Sequence, residues 1–371
     1  MAIDWTINRR GLFASAAVLL GSAALFNGRA PAKTRFRDVS LIGAARIGET
    51  DGGVLIDAEG LTGISLPGRA HALTLLPSGE VVLVGRRPGR FAAILDPGTP
   101  DTAPRLFAPV PGHRFAGHAA LSPDALTLVT SEIDAETGAG LVIARDSRTG
   151  APRAQFPVGI EPHDLLFARG GARLLVAVGG IARAAEVKGP ALNAGQIESA
   201  ILELDPRSGG VVKQHVLPAD MASLSLRHMA IAPDGETIAF GMQDQDRSEL
   251  RPLVGILRVG RGIELLPLPR DDSGALRFYI GSVAIDSSGR YAAATSPKGG
   301  MIGVWSLGNG GWLGGFAVAD VCGLAADAEE GCFWATSGLG ELVKLRASDA
   351  GLAAEAHWQA SAAFDNHLLR I

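Results

Sequence analysis

Two cysteines in 371 residues cannot build a disulfide framework or a four-cysteine zinc or iron–sulfur site. A net charge of −4 excludes a nucleic-acid binder driven by overall positive charge. Lysine is scarce, 5 against 29 arginines, a bias we assign to codon usage. Long apolar runs are missing apart from Ala14 to Phe26, and those 13 residues fall short of the roughly 20 that a membrane-spanning helix needs. No Gly-x-Ser-x-Gly elbow and no His-Glu-x-x-His helix occurs, which removes those hydrolase and zincin readings. Gly338-Leu339-Gly340 is no dinucleotide fingerprint. Thr295-Ser296-Pro297-Lys298-Gly299-Gly300 lacks the Walker spacing and a following helix, so it reads as a turn. Aromatics reach only 5%.

What is abundant is glycine, 49 residues, roughly twice average usage. No low-complexity tract accounts for it, so it is turn glycine. The length exceeds what one ordinary core needs, leaving two domains or one large repeat fold.

The N-terminus reads as an address. Arg9-Arg10, followed by Leu12 and Phe13, precedes the short apolar run, and Ala30-Pro31-Ala32 offers small residues at a cleavage point. This is the pattern of a twin-arginine export signal over residues 1–32, receptor-read and removed. An uncleaved anchor is the alternative. Removal takes away three arginines and one aspartate, Asp4, and lowers the charge from −4 to −6. The expectation is a periplasmic, mildly acidic protein with no membrane span after processing. Export in the folded state permits a metal loaded beforehand.

Beyond residue 33 a repeat organises the chain. An apolar strand, a Pro/Asp/Gly turn and a second apolar strand recur from His71, His118, His163, His228, Ser282, Cys322 and His367. The starts are 47, 45, 65, 54, 40 and 45 residues apart, and the 65 contains an insertion near 181–198. Four strands per unit make a propeller blade. The seventh start lies near the C-terminus, and residues 39–66 hold two unassigned strand-like segments. The fold expected is therefore all-β: a seven-bladed β-propeller over residues 33–371, closed by pairing of the C-terminal strand with N-terminal strands.

Five of the eight histidines thus fall at one repeated position. Equivalent blade positions share one height around the axis, so His71, His118, His163, His228 and His367 should rim a channel mouth, with Ser282 and Cys322 completing the ring. Neutral imidazole suits iron, copper or zinc; His118, His163, His228 and His367 are the leading metal candidates. Secondary candidates are His113, Glu132, Glu161, Arg227, Asp365 and Asn366; an acidic neighbour of a histidine, Asp164 included, could also orient a ligand. His113 is otherwise a loop residue and Arg227 a partner for a neighbouring carboxylate. Two considerations oppose a metal. Duplication of one histidine that hydrogen-bonds the next blade would give the same series, and a seven-position ring should let at most three or four adjacent blades converge. The turn Pro lies six residues after His71 but five after His118 and His228, a slip that would turn side chains to the other face. Cys322 and Cys332 should stand about 13 Å apart, at opposite strand ends, as free thiols.

Phe115-Ala116-Gly117-His118, Gly159-Ile160-Glu161-Pro162-His163, Leu224-Ser225-Leu226-Arg227-His228, Gly241-Met242-Gln243, Tyr279-Ile280-Gly281-Ser282, Asp320-Val321-Cys322-Gly323, Thr336-Ser337-Gly338 and Asp365-Asn366-His367-Leu368 together resemble one family. It is the exported bacterial propeller family called domain of unknown function fifteen-thirteen. The resemblance implies a periplasmic propeller and an iron-handling periplasmic protein as partner, but no activity. It departs from the pattern at Ala182-Arg183-Ala184-Ala185, where the family usually has a Thr-His-Pro stretch, in the segment Asp244–Arg247, and at Phe364, usually Trp. The inner histidines are all retained.

The leading expectation is a monomeric, non-enzymatic propeller that binds a transition metal, a metal complex or a metal-handling partner at the histidines. A propeller lactonase-like hydrolase would instead centre on Glu132, Glu161, Asp365 and Asn366 around a metal-bound water. A pure interaction scaffold is the third reading. Convergence decides: imidazoles meeting favours the first, carboxylates meeting the second.

Overall fold

The computed structural model describes residues 40–371 apart from 184–190, 194–195, 270–271 and 273. The signal expected over residues 1–32 and much of the insertion near 181–198 lie outside the described residues.

The described chain forms seven four-stranded antiparallel sheets, whose strands we number β1 to β28 in chain order. β1 (Leu41–Ile47), β2 (Thr50–Asp57) and β3 (Gly60–Ser65) join β28 (Ala363–Arg370) in the sheet order β28-β1-β2-β3. Leu41, Ile42 and Gly43 pair with Arg370, Leu369 and Leu368. The last strand is thus the innermost strand of the first-built blade, and the ring closes without a free sheet edge at the seam. The other inner strands are β4 (Ala70–Leu75), β8 (His113–Leu121), β12 (Pro162–Ala168), β16 (Leu224–Ile231), β20 (Ser282–Ile285) and β24 (Val321–Ala326). Each packs beside the next around the axis, β28 against β4. Among the described residues no helix is long and apolar enough to cross a membrane.

Apolar side chains fill the wedges between blades. Trp305 is fully buried, lies edge-on to Trp312 at 4.9 Å and donates its Nε1–H to the Pro267 carbonyl at 3.3 Å. That hydrogen bond removes the cost of orphaning the buried indole N–H while the ring's apolar area stays out of water. Aspartates pin the turns: the Asp146 carboxylate accepts the amides of Arg148 and Thr149, and Asp205 those of Arg207 and Ser208.

The detail that shapes the axis is a break in register at the histidines. β4 pairs regularly at Ala70 and again from Leu73, leaving His71 and Ala72 in the break. The break in β8 spans residues 116–118, that in β12 spans 163–164, that in β28 spans 365–367 and that in β24 contains Cys322. In β16 it makes Arg227 the extra residue beside His228. A bulge bends the strand and re-aims its side chains. Because each break falls at or beside its histidine, strict alternation from the turn proline does not govern which way the ring points, and the histidines reach one place despite the six-against-five offset. The breaks also let sequence neighbours such as Arg227 and His228 both face the axis, where strict alternation would separate them.

Candidate metal centre

The five inner-strand histidines meet on the propeller axis. The ring centroids of His71 and His118 are 5.0 Å apart, of His118 and His163 4.6 Å, of His163 and His228 4.8 Å, of His228 and His367 4.8 Å and of His367 and His71 4.7 Å. Across the cluster, His71 lies 6.1 Å from both His163 and His228, and His118 lies 5.5 Å from His228 and 4.9 Å from His367. The ring is therefore narrower than blade counting suggests, because bulged strands aim long side chains inward from five blades. Gly117 makes room for the packing. Its φ of +110° lies in the region glycine tolerates, and a Cβ there would stand 2.8 Å from His71 Cδ2.

Two sets of three ring nitrogens approach within 4.8 Å of one another: His71, His118 and His163, and His118, His228 and His367. His118 belongs to both. Seven of the cluster's nitrogens are buried without a hydrogen-bond partner: Nδ1 of His71, Nε2 of His118 and His367, and both nitrogens of His163 and His228. A buried polar atom without a partner carries a desolvation cost of about 1–3 kcal/mol. Histidines copied only to hydrogen-bond the next blade would not be left so. That bracing is done elsewhere, by Thr74 Oγ1 to the Ala119 carbonyl and Thr295 Oγ1 to the Cys322 carbonyl, both 2.8 Å.

Burial also keeps four of the rings uncharged. His71 is pushed down to about 4 by desolvation, with Asp365 partly offsetting it. His163, His228 and His367 are held well below the ordinary imidazole range, first by burial and then by the neighbouring imidazoles. Neutral rings keep lone pairs available at neutral pH. Asp164 orients His118: its Oδ1 lies 3.1 Å from His118 Nδ1, and its two oxygens accept the amides of Leu165 and Met229 at 2.8 Å. That leaves His118 Nε2 facing the cluster, the arrangement of a carboxylate behind a metal-ligating histidine.

The remaining candidates divide. Ser282 is buried at the start of β20, and Cys322 contacts the carbonyls of Phe364 and Thr336 at 3.3 and 3.5 Å; neither joins the imidazole groups. Burial raises the Cys322 thiol to about 12, so it is no thiolate ligand at neutral pH. Both cysteines are free. His113 and Glu132 belong to a buried network within their own blade: Glu132 Oε2 lies 3.2 Å from His113 Nδ1 and accepts the Val110 amide, while Oε1 takes the Arg145 guanidinium and the Thr130 hydroxyl. Glu161 is held between Arg87 and Arg227. Asp365 takes Arg69 and Arg86, and its Oδ1 lies 3.7 Å from His71 Nδ1. Burial alone would raise Asp365, but His71, Arg86 and Arg69 outweigh it and hold the carboxyl well below its usual range. Asn366 donates its side-chain amide to the Tyr279 hydroxyl at 2.7 Å. Among the described residues Glu132, Glu161 and Asp365 join no group of converging ligand atoms.

Above the cluster opens a cavity of about 630 Å³, lined by His71, His163, Glu161, Asn366 and five arginines, Arg86, Arg87, Arg114, Arg183 and Arg227. A smaller adjoining cavity shares Arg86, Gln243, Tyr279 and Asn366 and adds Arg69, Lys298 and Cys322. Arg69, Arg86 and Arg87 escape a reading by repeats because they sit beside the repeated position, not on it. The visible signal was the pair Arg86-Arg87 in the turn after Val81–Gly85, on the same face as the histidines.

A closed seven-bladed propeller with imidazoles gathered on its axis is the class that fold and site define. The chain belongs to the family described as protein of unknown function, DUF1513, which matches residues 64–371. No curated protein sequence matches it. Among solved structures it is similar to a chain of Kuenenia stuttgartiensis hydrazine synthase, at 15% identity and a TM-score of 0.61 over 88% of this chain and 99% of that one. At that identity the likeness concerns the fold alone.

Proposed function

We propose that this propeller binds a transition metal ion at its axial histidine cluster, in the periplasm after export by the twin-arginine-type signal over residues 1–32. The observation that carries the reading is the set of seven buried ring nitrogens without hydrogen-bond partners, gathered from five blades. His118, shared by both sets, is the central ligand, with His71 and His163 or His228 and His367 beside it. An all-imidazole set suits zinc, copper or iron(II). Zinc holds its nitrogens at about 2.0–2.1 Å, and ring nitrogens that all lie within 4.8 Å of one another are close enough to be gathered around one such ion. We read the protein as a carrier or binding module, with an iron-handling protein as its partner. The hydrolase reading is disfavoured because its carboxylates are each engaged by arginine and lie apart.

The test is metal content after native purification, with His118→Ala and, as a control, His357→Ala. His357 lies outside the cluster, its Nε2 2.8 Å from Glu341. About one ion per chain in the wild type and the control, lost in His118→Ala, is expected. Near-zero metal in all three, with none taken up from zinc, copper or ferrous salts, would overturn the proposal.

A further inference from the structure

The cavity above the histidines is lined by Arg86, Arg87, Arg114, Arg183 and Arg227 but by one carboxylate, Glu161. Glu161 is shared by Arg87 and Arg227, and Asp365 by Arg69 and Arg86. Four guanidinium groups, three of them lining the cavity, thus divide two carboxylates, one of which lines it. Arg227 is the more telling member: its side chain is 3% exposed, it lines the cavity, and its Nε has no hydrogen-bond partner. Arg86 and Arg87, about a third exposed, reach into the same space from the turn after Val81–Gly85. Buried arginine is costly unless an anion completes it.

The space selects the kind of anion. At about 630 Å³ it has the size of a site for a small organic molecule, far more than one inorganic ion fills. Its wall is not uniformly charged: Pro88, Ala116, Ile160 and Ile181 supply apolar surface, and Gln243 and Tyr279 supply neutral polar groups. Guanidinium forks on different sides match carboxylates in the paired geometry they favour.

We propose that the cavity binds a small organic polycarboxylate directly over the histidine cluster. It rests on the metal reading only in treating the two as one site. The imidazole set lacks oxygen donors, and a bound polycarboxylate supplies them, so that the ligand would be an anionic metal chelate held by arginines on one side and imidazoles on the other. Anion binding by the arginines themselves needs no metal.

Titration calorimetry with citrate, on chelator-treated and on metal-loaded protein, tests it, with inorganic phosphate as comparator. The variant is Arg86→Gln with Arg87→Gln. Each change leaves its carboxylate a second arginine, Arg69 for Asp365 and Arg227 for Glu161, so the fold is retained. Citrate should bind the wild type in at least one metal state, and the double variant should weaken it by about tenfold or more while its metal content stays that of the wild type. No citrate binding in either state, binding undiminished in a folded double variant, or phosphate binding as tightly as citrate would overturn the proposal. Citrate binding by a protein that takes up no metal would leave the polycarboxylate site standing and remove the metal reading.

Discussion

Acid should destabilise the metal-free protein in a window that the histidine cluster defines. The perturbation is a fall from pH 7 to pH 4 after removal of metal. His71 is pushed down to about 4 in the folded chain, against an ordinary value near 6.5 in the unfolded one. Between those limits the unfolded chain binds the additional proton. Stability is therefore full above about pH 6.5 and falls progressively as the pH drops toward 4. A tenfold difference in proton affinity between folded and unfolded chains is worth about 1.4 kcal/mol, so His71 alone accounts for about 3 kcal/mol. His163, His228 and His367 act in the same direction through the same desolvation, and because they sit against one another their contributions are coupled, not additive. Carboxylates held low in the fold, such as Asp365, lose their contribution only below their own unfolded range near 4, outside most of this window. The assay is urea unfolding at half-unit pH steps, for the wild type and for His71→Asn, which removes one titrating ring. The wild-type unfolding free energy should fall by at least about 3 kcal/mol across the window, with a smaller fall in the variant. A wild-type value constant from pH 6.5 to 4 would refute the reasoning, since the rings would then not be buried and neutral.

Two further outcomes separate site from scaffold. Glu132→Ala leaves the Arg145 guanidinium buried without its carboxylate, so thermal or urea unfolding should show a loss of about 3–5 kcal/mol; the folded fraction should keep its full metal content, and loss of metal there would move Glu132 into the site. Native protein should react with no thiol reagent at neutral pH and show two thiols once unfolded, because burial raises both Cys322 and Cys332 to about 12; rapid labelling of the folded chain would contradict that burial.

The architecture was readable because a propeller writes its blades as a repeat. Proline-, aspartate- and glycine-bearing turns marked the hairpins, and a final strand near His367 without followers required N-terminal partners, which β1 to β3 provide. The site was readable to the level of which histidines, not how they meet. Spacing alone made the ring look too wide for five rings to converge. It carries no information on bulges, and the breaks in register around His71, His118 and His163 are what turn those side chains inward. Sequence proximity also misassigned partners. Glu161 and Asp365 stand next to ligand candidates, yet arginines from other blades claim them, Arg87 and Arg227 for one and Arg69 and Arg86 for the other. Asp164, next to His163, orients His118 of the preceding blade, an across-blade relation no single repeat displays.

The central claim is that the axial imidazoles hold a metal ion, and X-ray absorption of the metal-loaded protein tests it most directly. The account predicts a first shell with at least three nitrogens at about 2.0–2.1 Å and the outer-shell scattering of imidazole rings, for zinc bound through His118 and its neighbours. A shell of oxygens alone, or one containing sulfur, would contradict it.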